Sequence, residues 1–127
     1  MAAGGGNIVN MSSFAAVAGV VVTRLAAAAG SHPPQAYGAA KAGIEALTRT
    51  TASVGAPVNI RCNAVRPGAI GPRAHQNFQQ VFEPIQLLPG AGAFTDIANA
   101  VAFLVFDEAR FITGQVLDIN GGAAGKL

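Results

Sequence analysis

Three short stretches of the chain carry the alternation of apolar and polar residues, or the brief apolar run, that predicts β-strands. From Val58 to Ala64 every second residue is apolar, and Pro67-Gly68 ends the pattern. Ile8-Val9 predicts a short buried strand, which residues 10–13 carry to the carboxyl edge of the sheet. Gln115 to Ile119 predicts the last strand.

Two other segments show the spacing of a helix. From about Ala36 to Ser53 small and apolar residues recur every three or four positions, and Gly55 and Pro57 end the pattern. Glu45 and Arg49 are expected to face solvent on this helix. The second helix has Thr95 as its predicted N-cap, followed by Asp96 in the first turn and an apolar stripe of Ile97, Val101, Leu104 and Val105. The stretch 69–94 between them is expected to be variable.

Strands that alternate with helices predict a parallel sheet with right-handed crossovers. The expected fold class is therefore α/β: a partial Rossmann-type three-layer fold with about three strands and flanking helices. A chain of 127 residues allows one domain.

Composition narrows the function classes. The net charge of +2 is small, and Arg61, Arg66 and Arg73 form no basic run, so we expect no nucleic-acid partner. The most apolar stretch, 14–30, is interrupted by Arg24 and is shorter than a membrane helix needs, so we expect no membrane partner and a cytoplasmic location. The single cysteine, Cys62, lies in a strand and is expected to be a packing thiol. No metal-ligand cluster is visible.

Tyr37 and Lys41 carry the most informative chemistry. Four residues apart on a helix, they share one face, where the ammonium favours the phenolate form of the tyrosine. A tyrosine beside such a cation is expected to exchange protons near neutral pH. The pair alone has low specificity, because the same spacing occurs by chance in many surface helices.

The neighbouring segments make the pattern specific. The pair stands between Gly6–Ser13, a strand that ends in two serines, and Val58–Gly68, and the chain closes with Ile112–Gly122. In this order, and over nearly the whole chain from Gly4, the segments resemble the short-chain dehydrogenase/reductase family of nicotinamide-dependent oxidoreductases.

The resemblance implies hydride transfer between NAD or NADP and the carbon of a small carbonyl or alcohol substrate. Tyr37 would be the general acid/base, Lys41 would hold the nicotinamide ribose, and Ser13 would bind the substrate oxygen. Pro67, Gly68 and Ile70, with Tyr37 and Lys41, would contact the cofactor. Each assignment has an alternative, purely structural explanation, since Ser12 and Ser13 could cap a turn and Pro67-Gly68 could end a strand.

The chain departs from the family pattern in several places. It has no glycine-rich turn between a strand and a helix, because Gly4-Gly5-Gly6 precedes its strand. Residues 1–127 are therefore expected to be the C-terminal portion of a nicotinamide-binding Rossmann domain whose N-terminal glycine-rich half is absent. Residues 20–32 look like an insertion, Pro72 stands where a threonine is common, and Asn120 replaces an aspartate.

Three functions remain open. The chain is a truncated or partial oxidoreductase, a half-enzyme that needs a separate N-terminal partner, or a non-catalytic association module. A three-stranded sheet would leave one edge unpaired and apolar helix faces exposed, so we also expect a homo-oligomer. The lone His32 and His75 are expected to be solvated or structural. Retention of Tyr37 with Lys41 favours the enzyme or its remnant over the module.

Overall fold

The computed structural model describes residues 4–19, 23, 27, 30, 35–72, 74 and 82–123. Within them the chain forms a parallel sheet and two long helices, in the predicted order. These are β1 (Gly6–Met11), α1 (Gln35–Gly55), β2 (Ile60–Pro67), α2 (Phe94–Val105) and β3 (Val116–Ile119). Short 3-10 turns lie at Phe14–Ala16, Ala56–Val58 and Asp107–Ala109. The predicted α/β class is confirmed.

The three strands are parallel and lie in the order β1-β2-β3. Gly6 is opposite Ile60 at one end of the first pair, and Ala64 is opposite Val116 in the second. Because β2 is paired on both sides, its middle is buried, as expected for the central strand of a parallel sheet. It begins later than the sequence predicted, because a 3-10 turn and the left-handed Asn59 (φ 59°) occupy the positions before it.

The two helices lie on opposite faces of the sheet. Arg61 of β2 donates to Leu104 O (2.7 Å) in α2, whereas Arg66 pairs with Glu45 in α1, and odd and even residues of a strand point to opposite faces. In a parallel sheet whose strands lie in sequence order, two crossovers of the same hand place both helices on the same face of the sheet. One crossover is therefore left-handed, and the expectation that both are right-handed is wrong.

Helix α1 ends at Gly55, as the sequence predicted. A Cβ at this position would lie 2.9 Å from the Ile60 Cβ, so a glycine lets the helix end pack closely against the start of β2. Arg49 is exposed, as expected, but Glu45 is only 6% exposed. The prediction for Glu45 is wrong because Ser12 and Arg66 supply partners that a helical pattern does not reveal.

Helix α2 begins one residue before its predicted cap. Ala93 is the N-cap residue, and its backbone N–H donates to the Asp96 carboxylate at 2.7 Å. Thr95 lies inside the first turn, so its assignment as the cap is wrong. Asp96 satisfies a backbone donor outside the helix and also complements the helix dipole.

The core of the described residues is small and rich in alanine. Its largest buried apolar side chains are Phe14, Val65 and Leu104. Many large apolar side chains stay exposed, among them Phe111 at 96% and Val54 at 74%. In the described part of the chain, no helix has both the length and the apolar character needed to cross a membrane.

Candidate active site at the carboxyl edge of the sheet

A cleft of about 310 Å³ opens where β1 and β2 end. It brings together Ser13, Tyr37, Pro67 and Gly68, four of the residues singled out in the sequence. The other described lining residues are Phe14, Ala15, Gly19, Thr23, Gln35, Gly38 and Phe82. Segments far apart in the chain thus meet at the edge where parallel α/β sheets place ligands.

Ser13 follows β1 and has two roles in the structure. Its Oγ accepts a hydrogen bond from Ala15 N at 3.2 Å, which caps the 3-10 turn Phe14–Ala16, and its side chain also lines the cleft. Ser12 differs, because it is buried and donates to Glu45 Oε1 at 2.6 Å. The expectation that both serines face the site is therefore wrong for Ser12, since alternation turns it toward α1.

Tyr37 and Lys41 lie on one face of α1. The Lys41 Nζ is 5.6 Å from the centre of the Tyr37 ring and donates to the carbonyl of Met11 at 2.8 Å. Tyr37 is 46% exposed and borders the cleft. Helix α1 lies close to the 3-10 turn after β1 here, since a Cβ on Gly38 would lie 3.0 Å from Ala15 O.

Pro67-Gly68 packs against Ile119 and Asn120, which follow one another at the end of β3. Gly68 N donates to Ile119 O at 3.0 Å, and a Cβ on Gly68 would lie 2.6 Å from the Asn120 Cβ. Asn120 is buried; its Oδ1 accepts from Gly122 N at 3.0 Å and its Nδ2 donates to Asp118 at 3.1 Å. The amide donates to a carboxylate here, which an aspartate could not do when ionised.

Ile70 lies next to the cleft that contains Tyr37 and Gly68. It does not line the cleft with Tyr37, but borders a neighbouring apolar cleft of about 670 Å³ between the sheet edge and α2. That cleft is also lined by Met11, Pro67, Phe94, Ile97, Ala98, Val101 and Ala102. The two clefts share Pro67, so Ile70 stands next to the site and not within it.

The sequence did not reveal a polar network beside the cleft, in which Glu45 is buried, Arg66 partly buried and Asp118 exposed. Arg66 donates to both oxygens of Glu45, at 2.8 and 2.9 Å, and to Asp118 at 3.1 Å. The hydrogen bonds from Arg66 to Glu45 lower the pKa of Glu45, whereas its burial acts in the opposite direction. Two signals were available: Glu45 lies one turn after Lys41, and Arg66 directly precedes Pro67.

The remaining candidates add no chemistry to the cleft. Cys62 is fully buried in β2, and burial raises the pKa of its thiol. Across the described ranges, no three His, Cys, Asp or Glu side chains come together as a metal would require. His32, His75, Arg73 and most of the predicted insertion at residues 20–32 lie outside the described residues.

Comparison with known proteins supplies a family. The family model described as enoyl-(acyl carrier protein) reductase matches residues 1–124. The 7alpha-hydroxysteroid dehydrogenase of Bacteroides fragilis is 40% identical over 124 residues, which cover 94% of this chain and 44% of that protein. The trans-4-hydroxycyclohexanecarboxylate dehydrogenase of Sinomonas cyclohexanicum is 39% identical over 123 residues, covering 96% and 42%. The chain thus spans less than half the length of these relatives.

Solved structures give the same result for the fold. A putative short-chain dehydrogenase/reductase from Burkholderia xenovorans superposes with a TM-score of 0.79 at 34% identity, over 98% of this chain and 46% of that one. A 4-hydroxyisoleucine dehydrogenase complexed with NADH superposes with a TM-score of 0.74 at 30% identity, over 94% and 46%.

Proposed function

Since this chain belongs to the short-chain dehydrogenase/reductase family, we propose that it carries the catalytic residues of an oxidoreductase that transfers hydride between a nicotinamide cofactor and a carbonyl or alcohol carbon. One observation carries the proposal: Ser13 and Tyr37 line a single cleft, and the Lys41 ammonium lies beside the Tyr37 ring. The substrate would be a small molecule.

The proposed roles follow from where the side chains lie. Tyr37, half-exposed at the cleft, is the proton donor to the substrate oxygen in reduction and the acceptor in oxidation. Lys41 places a positive charge beside the Tyr37 ring and, as the family resemblance implies, would hold the nicotinamide ribose. Ser13, held by its bond to Ala15 N, keeps its hydroxyl hydrogen free to donate to the substrate oxygen.

The described residues fit the nicotinamide end of a cofactor. Lys41 has three ammonium protons, and the structure shows one of them on Met11 O, which leaves donors for ribose hydroxyls. Pro67 and Gly68 form a neutral wall, and Ile70 borders the adjoining cleft, as a flat heteroaromatic ring requires. When bound, the cofactor would supply or accept the hydride. The choice between NAD and NADP stays open, and no glycine-rich pyrophosphate turn occurs in the 127 residues.

The proposal includes the position of the chain within the family fold. The Ser13, Tyr37-Lys41, Pro67-Gly68 and Asp118–Gly122 segments occur in the order that the C-terminal portion of the family has, which supports the assignment of residues 1–127 to that portion. A cytoplasmic location is part of the same proposal, because a single buried thiol suits a reducing compartment.

Cofactor titration tests the function directly. The chain has one tyrosine and no tryptophan, so its intrinsic emission reports on Tyr37 alone. We expect NADH or NADPH to quench that emission saturably and to gain fluorescence on binding. Adding neutral ketones should then give turnover. Failure of both cofactors to bind up to millimolar concentration would contradict the proposal.

Two variants define the catalytic part of the test. Tyr37→Phe should lower kcat/KM at least about 100-fold, the usual contribution of a general acid, while cofactor affinity changes little. Thr95→Ala, on the exposed first turn of α2 away from the cleft, is the matched control and should keep wild-type turnover. Equal loss in both variants would point to an effect on folding.

A second candidate function is supported by the edge of the sheet. Among the described residues β1 pairs only with β2, so its other edge offers backbone groups to a further strand, and Ile8 and Met11 of β1 are exposed. The chain would then work as a half-enzyme or association module that needs another polypeptide. Activity that appears only on co-expression with the N-terminal half of a relative would favour the half-enzyme, and inactivity in every combination would favour the module.

A further inference from the structure

The carboxylate of Glu45 connects three elements that meet at the cleft. Oε1 accepts from Ser12 Oγ at 2.6 Å, at the end of β1, and both oxygens accept from Arg66 near the end of β2. Glu45 itself lies in α1, one turn after Lys41 and two turns after Tyr37. The neighbours of its two partners, Ser13 and Pro67, line the cleft.

We infer that Glu45 is a positioning residue, which holds helix α1 against the ends of β1 and β2 and so sets the spacing of Tyr37 and Lys41 from Ser13 and Gly68. This inference rests on the proposed function, because it concerns the geometry of the same site. Glu45 does not line the cleft, and it acts only through the groups that it holds.

The geometry of the bonds suits this role. The pair with Arg66 is bidentate and charge-assisted, which fixes orientation as well as distance. One further bond joins β1 to the same turn of α1, because Lys41 Nζ donates to Met11 O at 2.8 Å. Arg66 is in turn held by Asp118 of β3. The helix turn from Lys41 to Glu45 is therefore anchored to every strand of the sheet.

A purely structural ion pair is the competing explanation. Removing one partner of a buried pair destabilises a protein whether or not the pair serves a site. The two explanations differ in where the damage appears. A positioning role predicts local loosening at the ends of β1 and α1 that border the cleft, whereas a structural role predicts loss spread over the whole fold.

Three variants separate these explanations. Glu45→Gln keeps the side-chain volume and removes the charge that Ser12 and Arg66 bind. Ser12→Ala removes only the hydrogen bond between Glu45 and the residue that follows β1. Leu104→Val is the control, because it weakens the packing of buried Leu104 in α2 without touching the network.

Amide hydrogen exchange gives the first readout and needs no activity. In Glu45→Gln we expect exchange in peptides covering residues 11–16 and 36–42 to accelerate at least tenfold more than exchange in β3. Leu104→Val should accelerate these peptides and β3 to a similar extent. Ser12→Ala should loosen residues 11–16 more than residues 36–42. Uniform acceleration along the chain in Glu45→Gln, or no acceleration at all, would overturn the inference.

Turnover gives the second readout. With NADH or NADPH and a neutral ketone, Glu45→Gln should lower kcat about ten- to hundredfold per folded molecule, because small misplacements of reacting groups are costly. The Kd for the cofactor should change less than kcat does, because binding tolerates small displacements of Lys41 and Gly68 better than proton transfer tolerates a displaced Tyr37. An unchanged kcat would overturn the inference. A wild-type chain without turnover would contradict the proposed function instead, and hydrogen exchange would then decide the role of Glu45.

Discussion

At the scale of single residues, Gly68 has no room for a side chain because Asn120 packs directly against it. A Cβ at this position would meet the Asn120 Cβ at 2.6 Å, and Asn120 is itself fixed by bonds to Asp118, Gly122 and Ala123. Gly68→Ala should therefore cost about 1–3 kcal/mol of unfolding free energy, because neither side can move away. Urea denaturation measures this loss. Gly43→Ala is the matched control, since a Cβ there meets nothing within 4 Å, and it should be neutral or stabilising.

Glu45 gives a pH dependence whose sign follows from its lowered pKa. A carboxylate whose pKa is lower in the folded chain stabilises it above the ordinary glutamate value of about 4.3, and this contribution disappears as the pH falls through the lowered folded value. At pH 7 we expect Glu45→Gln to lose on the order of 3 kcal/mol. That deficit should shrink as the pH falls below the ordinary glutamate value, because the unfolded chain takes up a proton on Glu45 before the folded chain does.

Urea denaturation of both proteins at pH 7, 5 and 3 measures this difference. The comparison isolates Glu45 because the other acids titrate in both chains. A deficit that stays constant down to pH 3 would show that folding does not lower the pKa of Glu45.

At the scale of elements, the start of α2 differs from the prediction in which side chain supplies the cap. Asp96 accepts the bond from Ala93 N at 2.7 Å, whereas Thr95 is not the cap. Asp96→Ala should cost about 1 kcal/mol, the usual value of a lost helix cap. Thr95→Ala should change stability by less than about 0.5 kcal/mol. Thermal unfolding ranks the two, and a larger loss for Thr95→Ala would restore it as the cap.

The elements also show where prediction from the sequence succeeds. The strand positions and the end of α1 were predictable, because alternation in β2 and the break at Gly55-Ala56-Pro57 are local signals. The sides on which α1 and α2 lie were not. Each side depends on how a long connection, 12–34 or 68–93, crosses the sheet, and no local pattern encodes that path.

At the scale of the whole molecule, many large apolar side chains stay exposed to solvent around a small core. In α1, Leu47 and Val54 are 58% and 74% exposed, on a helix whose other face packs on the sheet. Burial of these side chains between molecules would stabilise an assembly at about 25 cal/mol per Å². We therefore expect the chain to elute from a sizing column above its monomer mass of 12.7 kDa.

Light scattering on the eluted peak measures the assembly. The double variant Leu47→Gln and Val54→Gln should lower the mass, or weaken association at equal concentration, because it replaces two apolar side chains outside the cleft. The exposed pair Thr50→Gln and Ser53→Gln on the same helix is the polar control and should leave the mass unchanged. A monomeric wild-type chain would contradict this expectation.

The sequence by itself determined what short-range patterns can encode. Alternation and helical spacing specified an α/β chain of three parallel strands, and the four-residue spacing specified that Tyr37 and Lys41 share a face of α1. The order of motifs specified the family. Each of these properties depends on neighbours within one turn, one strand or one ordered set of segments.

Only the tertiary structure decided which distant residues meet. It placed Ser13 beside Tyr37, separated Ile70 from their cleft, turned Ser12 away from it, and buried Glu45 with Arg66. The physical reason is that a buried charge is stable only where partners from other strands surround it. Those partners are brought together by the packing of helices on the sheet, which no local stretch of sequence contains.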